Sequence, residues 1–574
     1  MARRIHISGV VQGVGFRPFV YRLARHHELR GWVRNGEQGV DIHAQGDDLR
    51  IEAFLAALVE QAPPAASVAS VEVITVPCEA FSDFTIERTQ RAGTVSVRVS
   101  PDLTPCDECL ADLRDPANSR FGYAYVNCTN CGPRYSIVTA LPYDRPNTTM
   151  RDWPMCHTCA REYENPLDRR FHAQPIACVE CGPQYSLELE EETLRGPSAI
   201  VRAAEMLRAG SVLGIKGLGG YHVACDANNE IAVRAVRERK FRKERPFAVL
   251  VADLSAARRL IETTPEIERL LTSTARPIVL ARAKRSLTQV APDNSDLGVM
   301  LAHTPLHFAL FDAGAPSALV MTSGNRSSEP IAFDDDDARF RLSGIVDALL
   351  TGERPIARRL DDSVVRVGPA GAAILRHGRG YAPRAVATIA SKAPILAVGG
   401  DLKNALVLVV DGQAFASQHF GDLEQYDVER SFRAAIDDLC AMYAVDRSSL
   451  IVAYDQHPQY RSSQYAVTLE AAAHRAVQHH RAHVASVLAE RGEFDRRVVG
   501  LAFDGTGYGD DGSIWGGEIF VGSVRHGFLR AASLRPAVLP GGDASARHPV
   551  SAAAGFLLGL DDLGDFGAPP FLFP

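Results

Sequence analysis

The sequence predicts a multidomain protein of mixed α+β and α/β class. Three observations support this prediction: a length of 574 residues, a cysteine pattern that occurs twice, and glycine-rich turns that follow apolar strands in separate regions. One hydrophobic core seldom serves more than about 250 to 300 residues, so about three to five domains are expected. We predict them at residues 1–91, 100–190, 195–385 and 393–574.

Composition excludes several classes of protein. Hydrophobic residues make up 46% of the chain and charged residues 23%, as in ordinary globular proteins. No apolar run approaches the ~18 residues that span a bilayer, and no secretory signal follows Met1. We therefore expect a cytoplasmic protein. A net charge of -7 provides no general attraction for nucleic acid.

The first 90 residues follow a split βαβ order, which is typical of the ferredoxin-like fold. Strands are predicted at 4–9, 39–45, 68–76 and 84–88, and helices at 17–27 and 49–59. The loop VVQGVGFR at 10–17 contains two glycines, which let backbone N–H groups converge at a helix N-terminus, and Arg17 adds a cation. Such a loop suits a phosphate group.

These motifs, together with Asn35 on the neighbouring strand, resemble acylphosphatase. The resemblance implies that Arg17 anchors the phosphate and carboxyl groups and that Asn35 positions an attacking water.

Residues 100–190 contain one module twice, at a period of 50 residues. Pro116 matches Pro166 and Arg120 matches Arg170, so the repeat extends beyond cysteine. All-cysteine sets of four are typical of structural zinc sites, and we predict two Zn²⁺ ions. Pairing within each module is the simpler arrangement, an interleaved one stays open, and a redox C-x-x-C pair is less favoured. The predicted ligands are Cys106, Cys109, Cys128 and Cys131, then Cys156, Cys159, Cys178 and Cys181.

Residues 195–385 combine a glycine loop with clustered cations. An apolar strand at 212–215 leads into KGLGGYH, a helix rich in Arg and Lys is expected to end in the run 239–247, and the strand VMTSGN at 320–325 ends in a small polar turn. Several cations suit a triphosphate that loses pyrophosphate.

This region resembles the YrdC-like domain, which makes acyl adenylates from ATP bound with Mg²⁺. The resemblance implies that Lys240, Arg242 and Arg245 neutralise the triphosphate. It places Ser323 and Asn325 at the nucleotide phosphates and Lys216 near the acyl group. The YrdC family is also associated with RNA, so RNA contact stays open as a secondary property.

Residues 393–574 carry two glycine turns, at 395–404 and 501–518. Between them, His479 and His483 stand four residues apart on one helix face, where two imidazoles can share a metal, with Asp504 as a third ligand. The turns resemble those of actin-like ATPases (the ASKHA class) and of TsaD-like carbamoyl-threonyl transferases. The resemblance implies zinc or iron at this third site, and a transferase domain that is C-terminally incomplete.

The four modules in this order resemble the HypF family of hydrogenase maturation carbamoyltransferases. The resemblance implies carbamoyl phosphate and ATP as substrates, a carbamoyl adenylate intermediate, and transfer of the carbamoyl group to the C-terminal cysteine of a HypE-like partner for cyanide ligand synthesis. The main alternative is a tRNA threonylcarbamoylation enzyme, and a less favoured one is a zinc-finger nucleic-acid-binding protein.

Overall fold

The computed structural model of the chain describes residues 1–11, 13–36, 39–63, 66–87, 99–326, 329–542, 545 and 548–558. The chain divides into two compact units: Met1–Arg384 with Ala416–Val445, and Ala385–Phe415 with the chain from Asp446 onward. Residues 416–445 fall within the predicted fourth domain but group with the first unit; the predicted domain boundaries stay predictions. No described helix has the length and apolar character needed to cross a membrane.

The N-terminal region is a five-stranded sheet against which two helices pack. The strand order is β4-β1-β3-β2-β5, with β1 antiparallel to both β3 and β4, as expected for the ferredoxin-like fold. Residue 88 of the last predicted strand and Gln12 of the phosphate loop lie outside the described residues. The elements are β1 (Ala2–Val10), α1 (Phe16–His26), β2 (Arg30–Asn35), β3 (Gly39–Gln45), α2 (Asp48–Glu60), β4 (Ser67–Val76) and β5 (Phe84–Ile86).

Each cysteine module contains one short helix, which begins directly after the first cysteine of its C-x-x-C pair. These helices are α3 (Asp107–Arg114) and α4 (His157–Glu164), capped by Cys106 and Cys156. The rest of each module consists of turns. The first module packs into the large core that continues into the following sheet, whereas the second has only a small apolar cluster of its own and depends more on its metal cluster.

The second module runs directly into an eleven-stranded sheet, ordered β16-β15-β11-β12-β10-β13-β9-β8-β14-β6-β7. Its central strands are buried almost throughout, because apolar side chains pack on both faces. The elements are β6 (Tyr185–Glu188), β7 (Thr193–Arg195), α5 (Pro197–Arg208), β8 (Leu213–Lys216), β9 (Tyr221–Asp226), α6 (Glu230–Arg239), β10 (Ala248–Val251), α7 (Leu254–Leu260), α8 (Pro265–Thr272), β11 (Ile278–Arg282), β12 (Asp296–Leu301), α9 (Pro305–Asp312), β13 (Ala318–Ser323), α10 (Asp335–Leu342), β14 (Ala348–Gly352), β15 (Val364–Gly368), β16 (Gly371–Arg376) and α11 (Tyr426–Met442).

The cation-rich helix is shorter than predicted. It ends at Arg239, and the backbone then turns through Phe241, whose φ of +52° lies in the left-handed region. Pro246 follows closely and cannot donate within a helix. Residues 240–247 therefore form a loop, which carries Arg242 and Arg245 outside the helix.

The second unit contains a six-stranded sheet, ordered β17-β20-β19-β18-β21-β22, and a three-stranded sheet, ordered β23-β24-β25. The segment predicted as a phosphate loop at 501–509 lies largely inside the long strand β23, where pairing with β24 is interrupted between Phe503 and Gly507. The elements are β17 (Ala385–Thr388), β18 (Ile395–Ala397), β19 (Val407–Val410), β20 (Gln413–Ala416), β21 (Ile451–Asp455), α12 (Arg461–Ala466), β22 (Ala473–Val477), α13 (His479–Glu490), β23 (Val498–Tyr508), β24 (Ile514–Ser523), β25 (Gly527–Ser533) and α14 (Pro549–Leu557).

Candidate functional site

The predicted phosphate loop joins β1 to α1. Gly13 and Gly15 have φ angles of +71° and +74°, in the region that favours glycine, and Gly15 directly precedes the helix. Arg17 lies in the first turn of α1 and is half-buried. Burial lowers the pKa of Arg17, whereas Asp144 and Tyr163 oppose this shift. A guanidinium keeps its charge in proteins, so the loop presents a fixed cation beside a helix N-terminus.

Asn35 ends β2 and is paired through its backbone with Val40. Its side-chain Oδ1 atom is buried and has no hydrogen-bond partner among the described residues. A buried acceptor without a partner is uncommon in native proteins, and a bound water or ligand is one way to satisfy it. This observation fits the predicted role in holding an attacking water.

The eight paired cysteines form two four-sulfur clusters, each within one module. The Sγ atoms of Cys106 and Cys128 are 3.7 Å apart, and those of Cys131 and Cys109 are 3.6 Å apart. The second cluster repeats these distances, with 3.7 Å between Cys156 and Cys178. A tetrahedral ion with metal–sulfur bonds of about 2.3 Å needs sulfur–sulfur edges of about 3.8 Å, so both clusters fit a structural metal.

Each module contributes one buried arginine that binds groups of the other module. Arg120 of the first module is buried and donates to Ala177 O (2.9 Å) and Glu162 Oε2 (2.5 Å) of the second. Arg170, which stands 50 residues later, donates to Asn127 O (3.2 Å) and pairs with Asp112 of the first. The arginine, the carbonyl group that accepts from it and the carboxylate that pairs with it each lie 50 residues from their counterparts in the other contact. The duplicated sequence therefore forms a self-complementary interface.

The predicted nucleotide site gathers around the turn that follows β13. Lys240 is buried, and its Nζ donates to Ser323 O (2.7 Å), Asn325 O (2.5 Å) and Asn325 Oδ1 (2.9 Å). Ser323 Oγ also donates to Asn325 Oδ1, at 3.0 Å. Burial and the neighbouring Arg242 lower the pKa of Lys240 to about 7. In this structure Lys240 therefore holds the turn in shape.

Arg242 joins the same site, with Nη1 3.3 Å from Thr322 Oγ1. Burial and repulsion from Arg245, Arg237 and Arg376 together lower the pKa of Arg242 to about 10. A cluster of cations that repel one another favours a bound polyanion. Arg245 itself is exposed.

Lys216 ends β8, on the strand next to the one that pairs with β13. It is buried, donates to Gly352 O (2.6 Å) and forms an ion pair with Asp335 (2.5 Å). Tyr221 donates to the same carboxylate, at 2.6 Å. The structure thus places Lys216 in a charged network at the glycine loop; its proximity to an acyl group stays a prediction.

The second unit brings His479, His483 and Asp504 together at one point. Asp504 Oδ2 lies 2.5 Å from His479 Nε2 and 3.0 Å from His483 Nε2, and the two Nε2 atoms are 3.2 Å apart. Gln478 positions the helix: its Oε1 caps the N-terminus of α13, and its Nε2 donates to Tyr508 O at 3.1 Å. Three ligand atoms that converge in this way, two imidazole nitrogens and one carboxylate oxygen, fit a metal ion.

Asp455, at the end of β21, is a member of this site that sequence reasoning missed. Its Oδ2 lies 2.6 Å from His479 Nδ1, an arrangement that fixes the ring and leaves Nε2 facing the other ligands. Hydrogen bonds to Asp455 and Asp504 raise the pKa of His479 to about 9, so a metal must displace a proton to bind. The apolar run at residues 451–454, which leads directly into Asp455, was the available signal. Asp335 beside Lys216 was missed as well.

Five family models match the chain in order. They are acylphosphatase at residues 3–86, the HypF finger at 106–138 and 155–188, a family described as telomere recombination (Sua5, YciO and YrdC) at 205–378, the HypF Kae1-like domain at 390–490, and the second subdomain of the carbamoyltransferase Kae1-like domain at 500–568.

Proteins that align with nearly the whole chain carry the same family name as these models. Carbamoyltransferase HypF of Rhodobacter capsulatus is 45% identical over 586 residues, covering 99% of this chain and 77% of the relative. The HypF carbamoyltransferase of Synechocystis is 43% identical over 551 residues, covering 95% and 71%. A crystal structure of full-length HypF in its phosphate- and nucleotide-bound form superposes with a TM-score of 0.89 at 41% identity, covering 97% of this chain and 73% of that one. The chain therefore belongs to the HypF family of carbamoyltransferases.

Proposed function

We propose that the chain acts in hydrogenase maturation and converts carbamoyl phosphate and ATP into an activated carbamoyl group. Carbamoyl phosphate and water give carbamate and phosphate at the loop that contains Arg17. Carbamate then attacks the α-phosphorus of Mg²⁺-bound ATP, forming carbamoyl adenylate and releasing pyrophosphate. The carbamoyl group finally passes to the C-terminal cysteine thiolate of a HypE-like partner, with AMP as the leaving group.

The observation that carries the proposal is the placement of both early sites in one compact unit. The phosphate loop and the turn at Ser323 and Asn325 both lie within residues 1–384, which belong to the same compact unit. Carbamate decomposes in water, so its formation and its use benefit from occurring within one body. The full-length HypF structure that resembles this chain binds phosphate and nucleotide, the ligands that these two sites need.

The residues divide the early chemistry between them. Arg17 and the loop N–H groups hold the phosphate and stabilise charge that develops on it. The orphan Oδ1 of Asn35 accepts a hydrogen bond from the attacking water and orients it. Arg242 and Arg245 neutralise the triphosphate, while Lys240 fixes the turn that presents Ser323 and Asn325.

We assign Zn²⁺ to both four-cysteine clusters, where it serves folding, because closed sets of thiolates leave no position for a substrate. Zinc or iron suits His479, His483 and Asp504. When bound, this third ion supplies a positive charge for the nucleotide phosphates during transfer. Reduced cysteines and the use of ATP agree with a cytoplasmic location.

The test is pyrophosphate release from ATP by the purified chain, with and without carbamoyl phosphate. Release that requires carbamoyl phosphate supports the first two steps. Failure to release pyrophosphate by a folded chain with both zinc ions bound contradicts the activation step. Release that instead requires threonine and bicarbonate identifies the threonylcarbamoylation alternative, whose known form does not need an acylphosphatase domain.

A further inference from the structure

The first finger packs directly against the phosphate loop. The contact involves its second C-x-x-C pair, residues 128–131, which we call the knuckle. Arg134 Nε donates to Gly13 O at 3.3 Å. A Cβ at Gly15 would lie 2.9 Å from Thr129 Cβ and 3.2 Å from Asn130 Oδ1. Loop and knuckle approach so closely that only glycine fits, and the knuckle becomes part of the wall of the loop.

Asn130 brings an unsatisfied acceptor to this wall. Its Oδ1 atom is buried and has no hydrogen-bond partner among the residues that the structure describes. The backbone N–H of Asn130 is committed to Cys128 Sγ, at 3.4 Å. An orphan buried carbonyl costs free energy unless a ligand or water satisfies it. Asn35, the predicted water-positioning residue, has the same kind of orphan oxygen.

The knuckle is held rigidly in this position. The Arg134 side chain is buried and donates to Cys131 O (2.9 Å), Pro133 O (2.8 Å) and Thr129 O (2.8 Å). Asp102 accepts from the backbone N–H of Arg134 at 2.7 Å. These hydrogen bonds fix the backbone on both sides of Asn130, so the residue has less conformational freedom to lose when a ligand binds.

We propose that Asn130 determines the substrate specificity of the phosphate-loop site, by accepting a hydrogen bond from the amino group of carbamoyl phosphate. This inference rests on the proposed function. The phosphate of the substrate occupies the loop, and the acyl end extends to the knuckle. Acetyl phosphate has a methyl group in place of the amino group, so it leaves Oδ1 unpaired and is disfavoured.

The test compares phosphate release from carbamoyl phosphate and acetyl phosphate by wild type, Asn130→Ala and the similarly branched but apolar Asn130→Leu. For both variants kcat/KM for carbamoyl phosphate falls about tenfold, as expected for one lost hydrogen bond, while acetyl phosphate is hydrolysed as before. Two zinc ions per chain and unchanged inhibition by inorganic phosphate show that knuckle and loop stay intact.

The duplicated module supplies a matched control. Glu180 stands 50 residues after Asn130 in the knuckle of the second finger, and its side chain is exposed. Glu180→Ala keeps the wild-type preference between the two substrates. An equal loss with both substrates, or an unchanged preference in the Asn130 variants, overturns the inference. A wild-type chain that hydrolyses acetyl phosphate but not carbamoyl phosphate contradicts the proposed function itself.

Discussion

Arg17 shows how one side chain acquires a role from its place in the fold. It lies at the N-terminus of α1, where unpaired backbone N–H groups already favour an anion. Burial within the loop lowers its pKa but does not remove its charge. Asp144 offsets the effect of burial only in part, since the pKa stays lowered, and a bound phosphate group supplies a further counter-charge.

Replacing Arg17 by Ala therefore removes substrate phosphate binding and charge stabilisation together. We expect kcat/KM for phosphate release from carbamoyl phosphate to fall by about a hundredfold or more, with the melting temperature nearly unchanged. Arg25→Ala is the matched control, because Arg25 lies on the same helix, is exposed and contacts only Tyr21 in the hydrogen bonds described for it. If the Arg17→Ala variant hydrolyses carbamoyl phosphate at the wild-type rate, the role assigned to Arg17 is wrong.

Asn35 and Asn130 show the limit of residue-scale reasoning. Asn35 was singled out because its motif, together with the neighbouring glycine loop, resembles that of acylphosphatase. Asn130 is 95 positions further along the chain, between two metal-binding cysteines. Its contact with Gly15 depends on how a second domain packs, and no local pattern contains that information.

The cysteine modules are the elements in which sequence and structure correspond most directly. Four cysteines at fixed spacing predict one metal site, and the structure assembles each set within its own module. The small apolar cluster of the second finger, around Cys159, Ala173, Ile176 and Cys178, gives little burial. The arginine exchange between fingers supplies further stabilisation.

Arg120→Ala should lower the free energy of unfolding by about 3 kcal/mol, because it leaves the largely buried Glu162 without its partner. The double variant Arg120→Ala with Glu162→Ala should lose less than the sum of the two single variants. Chemical denaturation measures both effects. Arg151→Ala, whose pair with Asp152 is exposed, serves as the control with a change below about 0.5 kcal/mol. Strict additivity of the two single changes would show that the pair is not coupled.

At the scale of the first unit, metal binding and phosphate chemistry are connected through the knuckle. Cys128 and Cys131 flank the two residues that contact Gly15. The hydrogen bonds from the other three cysteines lower the pKa of Cys128, which favours the thiolate that a metal needs. Loss of the metal ion from the first cysteine cluster should therefore alter the phosphate loop, although that loop contains no metal ligand.

Cys128→Ser is expected to lower the zinc content by one ion per chain and to lower the rate of phosphate release at least tenfold, although Arg17 and Asn35 are intact. Zinc content by elemental analysis and phosphate release are measured on the same sample. Cys225→Ser is the control, since Cys225 is buried in β9 and belongs to neither cluster. A variant with one zinc ion and full activity would show that the knuckle does not support the loop.

The sequence by itself determined the features that depend on near neighbours along the chain. These are the helices and strands predicted for residues 1–87, the duplicated cysteine module, the glycine turn that precedes α1, and the helical pairing of His479 with His483. Periodicity and spacing encode such features because the residues involved share one element or one repeat.

Only the tertiary structure decided which distant groups meet. Asp455 at His479, Asp335 at Lys216 and Asn130 at Gly15 each join segments separated by at least 24 residues. The tertiary structure also grouped residues 416–445 with the first unit. The physical reason is that these contacts result from packing between elements, where shape, burial and charge are satisfied jointly and no local signal specifies the partner.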